Sequence, residues 1–177
     1  MIGWIIAAEV LFWIVLFAAL YFRYILKAKK LSLLFFALTP VIDLVLLVLT
    51  ALDLKNGSDA TISHGLAAVY IGVSIAFGKT MIAWADEKFQ KLVLKVDVQK
   101  KRLDGKEKAH YEIGLFIRHL VAYGIAAVLL LIIINYVGIQ NDTNSLYLVM
   151  KIWAIFVAID GITCIINLYF PKKQKTT

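Results

Sequence analysis

Cysteine is nearly absent from this chain. Cys164 is the single one in 177 residues, so an intrachain disulfide is excluded and a cysteine-based metal site has no second thiolate to build on. It sits inside an apolar run and reads as a buried thiol. Proline and glycine are scarce too, two and ten residues, leaving little to punctuate long elements. Charged residues make up only 18% and are gathered into short stretches, so long uncharged runs lie between them. Apolar residues fill the rest: 62% of the chain, with a mean hydropathy of +0.82, against about 45–50% in soluble domains. An integral membrane protein follows.

The net charge of +7 and the isoelectric point near 9.4 raise nucleic acid as a partner, because basic patches bind phosphate. No motif that reads RNA or DNA is present, and in a membrane protein the loops on one side carry such an excess by themselves. The partners expected are the lipid bilayer, with its anionic headgroups on the cytoplasmic face, and a second copy or another protein, but no nucleic acid.

One stretch organises the rest: His64 to Trp84. It is long enough to cross a bilayer core of roughly 30 Å at about 1.5 Å per residue. It also carries more small residues than any other apolar run, and small residues let helix backbones approach closely in lipid. At about 100° per residue Gly65, Ala68, Gly72, Ala76 and Ala83 fall in one sector, with Lys79 inside it. The segment reads as the central helix of a bundle, with its one cation turned toward neighbours.

The apolar runs number five, at about 2–22, 31–52, 63–84, 113–137 and 146–170. The first lacks the positive n-region and small-residue cleavage site of a signal peptide and reads as a retained span. Pro40, inside the second, removes a ladder hydrogen bond just ahead of Asp43. Between spans three and four, Asp86 to Glu112 is the one sizeable polar segment. Phe89, Leu92, Val93, Val96 and Leu103 recur there at helical spacing, and Glu87/Lys91 and Asp97/Lys101 are pairs four apart, which suggests an amphipathic helix at the membrane surface. A short strand over 92–98 is the alternative. The architecture expected is all-α: a single domain over 1–171, a polytopic bundle of five transmembrane helices with a cytoplasmic amphipathic segment, followed by a basic tail at 172–177.

Five spans put alternate connections on the same side. Lys and Arg number four after the first span, eight after the third and three in the tail, against Lys55 alone on the other side. The positive-inside rule then places the amino terminus outside and the carboxyl terminus in the cytoplasm. Trp4, Tyr21, Tyr24, Trp84, Tyr136, Tyr147 and Tyr169 lie at span ends, as interfacial aromatics do.

Six charges fall inside spans: Glu9, Asp43, Lys79, Arg118, Lys151 and Asp160. Each costs at least roughly 2.5–3.5 kcal/mol at mid-membrane unless paired or hydrated. Glu9, Asp43 and Asp160 lie about ten to thirteen residues from the cytoplasmic ends of their spans, one layer roughly 5 Å deep. They are the candidate ion or proton site; the plainer reading is an interhelical hydrogen bond or a packed carboxyl. Lys79 and Arg118 share a shallower layer as candidate counter-charges, although long cationic side chains at that depth commonly snorkel to the headgroups. Gly65, Ala68, Gly72 and Ala76 are the candidate helix-packing face. No histidine pair, metal-ligand spacing, phosphate-cradling loop or nucleophile motif is present, so no catalytic residue, metal or cofactor is expected.

The segments Pro40-Val41-Ile42-Asp43, His64-Gly65-Leu66-Ala67-Ala68-Val69-Tyr70-Ile71-Gly72, Gly78-Lys79 and Trp84-Ala85-Asp86 resemble small, uncharacterised integral membrane proteins of Bacillus-like Gram-positive bacteria. The resemblance implies a bacterial plasma membrane address and brings no activity, cofactor or catalytic residue. Two readings of function result. The first is a non-catalytic scaffold or membrane-sensing protein that uses its basic segment as a contact surface. The alternative is a small transporter or ion-coupled carrier built on Glu9, Asp43 and Asp160.

Overall fold

Long apolar runs in lipid have one way to satisfy their backbone, which is to hydrogen-bond internally as helices. The computed structural model describes residues 2–92, 95, 105–138 and 142–169, and five helices follow one another in it: α1 (Ile2–Tyr24), α2 (Lys29–Lys55), α3 (Ile62–Leu92), α4 (Gly105–Val137) and α5 (Asn144–Tyr169). No strand occurs among the described residues. All five helices are long and apolar enough to cross a membrane. Their outer faces are greasy: Phe17 is 61% exposed and Phe156 64%. An apolar belt of that kind in water would be an aggregation surface; in lipid it is the solvated face.

Two helices exceed their apolar runs by about two turns. α3 continues past Trp84 to Leu92, and α4 begins at Gly105, with Lys108 and Glu112 paired 3.8 Å apart one turn into it. Helix extent follows backbone bonding and pairs four apart rather than apolarity alone. Of the positions expected on an amphipathic face between them, Phe89 and Leu92 belong to α3, whereas Val93, Val96 and Leu103 lie outside the described residues. The strand alternative over 92–98 lies there too, apart from Leu92 and Lys95, as does the tail at 172–177.

The connections α1–α2 and α3–α4 emerge at one end of the bundle, here called the basic end for its lysines and arginines; α2–α3 and α4–α5 emerge at the opposite end. α2 ends there at Lys55, and the chain turns through Gly57, whose φ of +94° is open to glycine without strain. The Gly57 N–H donates to Leu54 O and the Ser58 N–H to Asp53 O, so the last carbonyls of the helix are satisfied.

α1 packs along α2, α3 along α4, and α5 closes against α4 and α3. The shared core cluster, which includes Leu54, Ala68, Leu130, Ile133, Leu146 and Val149, is drawn from α2 to α5, while α1 buries Val15 and Ala19 outside it. Its closest backbone approach is at Gly72. A Cβ there would stand 2.3 Å from the Ala122 carbonyl oxygen, and one on Gly65 2.9 Å from Val149 Cγ2. Along that sector of α3, Gly65, Ala68 and Gly72 are buried, Ala76 is half-buried, and Lys79 and Ala83 are exposed. Two crossing helices touch over a few turns and then diverge. Lys79 is thus exposed, off the packed face rather than turned toward neighbours, although Phe77 and Thr80 beside it still touch α4.

Candidate functional site

α2 buries a stripe that is polar where its outer surface is apolar. Ser32, Thr39, Asp43, Leu47, Thr50, Asp53 and Leu54 are its buried residues, and from Ser32 to Asp53 they are spaced by three, four or seven so that they share one face. Pro40 sits within that stripe and has no N–H to give to the Phe36 carbonyl. Thr39 Oγ1 donates to Phe36 O instead, at 2.8 Å. The carbonyl freed by the proline is therefore satisfied inside the same turn, and the helix continues through Pro40 to Asp43 and beyond.

Asp43 is 3% exposed. Its Oδ2 is buried and has no hydrogen-bond partner among the described residues. The side chain lines a crevice of about 760 Å³ walled by α1, α2 and α3. Glu9 lines the same crevice from α1, and Thr39, Ser74 and Tyr70 are among its few other polar groups. Helical rise puts Glu9 about 22 Å and Asp43 about 21 Å from the basic end, at about 1.5 Å per residue, so the two carboxyls stand at one depth. The remaining wall is apolar and aromatic, with Phe12, Trp13 and Phe36 among its members. Trp13 lies edge-on to Phe12 at 5.7 Å and stacks on Phe17 at 5.9 Å.

The crevice exists because α1 leans on α2 and takes no part in the common core. At the basic end α1 is fastened to α3. Arg23 Nε and Nη2 donate to the two carboxylate oxygens of Asp86, and the Tyr24 ring stacks on Phe89 at 4.0 Å with 15° between planes. Phe22 packs on Phe35 of α2 at 5.0 Å. This bidentate pair joins residues 63 apart in sequence, and reading Arg23 as a loop cation and Asp86 as the start of a polar segment conceals it.

Asp160 lies elsewhere. Its Oδ2 is 2.6 Å from His119 Nδ1 of α4, and the His119 ring rests on Phe77 at 4.8 Å. The three acids thus separate into two places: Glu9 and Asp43 in the crevice, Asp160 at the α4–α5 contact. Arg118 Nη1 donates to Thr80 Oγ1 at 2.6 Å. Among the described residues neither Arg118 nor Lys79 forms an ion pair with Glu9, Asp43 or Asp160.

A carboxyl surrounded by apolar wall is met by a donor, a cation or its own proton, since a bare charge there is too costly to keep. Around Asp43 the protein supplies the room for such a partner and the second carboxyl. Over 177 residues, covering 99% of this chain and 96% of the other, the sequence is 43% identical to a protein of Bacillus subtilis (strain 168) described as "Uncharacterized membrane protein YmcC". No family model matches the chain, and no solved structure matches it.

Proposed function

The chain belongs to the family of the Bacillus subtilis membrane protein YmcC, and we propose that it acts as a small carrier whose cation or proton site is the crevice between α1, α2 and α3. Asp43 is the anchoring group and Glu9 the second carboxyl. The observation that carries this reading is Asp43 Oδ2, buried at mid-membrane beside an open crevice and without a partner among the described residues. Intramembrane acids of that kind mark ion and proton pathways by default. The basic end belongs on the cytoplasmic side and the amino terminus outside, as the Lys and Arg distribution requires.

The scaffold reading draws its support from the basic connections and asks nothing of Asp43. Flux separates the two. Purified protein in sealed liposomes is expected to dissipate an imposed proton or monovalent-cation gradient faster than empty vesicles, and Asp43→Asn to lower that rate at least about tenfold, the equivalent of about 1.4 kcal/mol. Wild-type flux no greater than that of empty vesicles leaves the scaffold.

A further inference from the structure

Resting on the carrier reading for its site, we propose that the crevice takes a lipophilic organic cation, an amine or onium group carrying its own apolar bulk, with the charge seated between Asp43 and Glu9. The first argument is charge. The chain has 19 Lys and Arg against 12 Asp and Glu, yet the crevice lining holds two carboxylic residues and no Lys, Arg or His. In so basic a protein a cavity whose only ionisable acids and bases besides Tyr70 are two carboxyls disfavours anions and selects positive charge.

The second argument is what surrounds the charge. An inorganic divalent ion asks for about six to eight oxygen ligands. No group of three or more His, Cys, Asp or Glu able to hold a metal occurs among the described residues. The wall offers apolar surface and aromatic rings instead, which suit an ion that brings its own apolar substituents. Trp13 and Tyr70 add ring faces for cation–π attraction. The volume of about 760 Å³ falls within the roughly 300–1,000 Å³ of sites for drug-sized ligands.

The third argument is the unpartnered oxygen. A neutral acyl chain would fill the apolar wall but leave Asp43 Oδ2 as it stands, buried and unbonded. A cationic head answers it.

The test compares tetraphenylphosphonium with tetraphenylborate, two ions of similar size and apolar surface and opposite charge, for binding to the full chain in detergent or nanodiscs by equilibrium dialysis. Saturable binding of the phosphonium, with borate bound at least about tenfold more weakly, is expected. Asp43→Asn is expected to weaken phosphonium binding at least tenfold, Glu9→Gln to weaken it less, and Asp59→Asn, in an exposed turn, to leave it unchanged. The comparison of the two ions on wild-type protein decides the matter even if Asp43→Asn fails to fold. Equal binding of both ions, binding of neither, or phosphonium binding indifferent to both Asp43→Asn and Glu9→Gln overturns the proposal. Gradient dissipation that needs Asp43 without phosphonium binding would keep the carrier reading and reject the organic cation. Selective phosphonium binding without any flux would do the reverse.

Discussion

Gly72 shows how much a single atom decides in this bundle. Lipid gives helices no hydrophobic reason to associate, so close backbone contact has to hold them together. A side chain at Gly72 would collide with the Ala122 carbonyl, a backbone atom that cannot step aside. Gly72→Leu is expected to destabilise the protein in detergent by at least about 1–3 kcal/mol, the usual cost of overpacking. A Cβ added at Gly124 in α4 would meet nothing within 4 Å, so Gly124→Ala is expected to stabilise by up to about 1 kcal/mol through helix propensity. Thermal unfolding of the two variants checks the pair, and a shift of the same sign in both would refute the assignment of the packed face. The small residues of α3 are visible in the sequence at helical spacing. That Lys79 and Ala83 fall outside the packed face is not, because the crossing angle between two helices decides which residues of a sector stay covered.

Among the elements, α1 alone stands outside the shared core cluster, packed along α2. It contributes nothing to the common core and is fastened to α3 at the basic end by Arg23 and Asp86, whose side chains are 13% and 30% exposed. Charge-assisted hydrogen bonds are worth about 1.5–3 kcal/mol each. Arg23→Gln or Asp86→Asn is expected to cost about that much, and the two together much less than the sum, as a double-mutant cycle on thermal unfolding would report. Additive effects would show that the pair does not hold α1. The five spans are legible in the sequence because apolar runs of about 20 residues have no other stable form in a bilayer. Counting along the chain puts Glu9 and Asp43 in one layer, and both line the same crevice. Neighbourhood is not legible: a count along the chain gives height, whereas the rotation and order of the helices decide that Asp160 meets His119 and that Arg23 meets Asp86. The polar stripe of α2, from Ser32 through Thr39, Asp43 and Thr50, is a signal available in the spacing, and it marks the inward face of that helix more directly than any apolar residue.

For the whole molecule, apolar surface faces lipid and the buried polar groups among the described residues come from α2, while the sequence gathers its lysines and arginines in the connections at one end. Reporter fusions after Lys29 and Lys101 are expected to read cytoplasmic, and fusions after Ser58 and Asn141 extracellular; a single fusion in the opposite compartment would break the orientation. Within that frame the proposed cation site is the crevice beside α1, and Asp43 is the residue on which the carrier reading turns. The most direct measurement is gradient dissipation in liposomes holding wild type, Asp43→Asn or Asp160→Asn at equal, folded amounts. Dissipation above empty vesicles in wild type and Asp160→Asn, with at least about tenfold loss in Asp43→Asn, is the expected result. Equal rates in wild type and Asp43→Asn would contradict it.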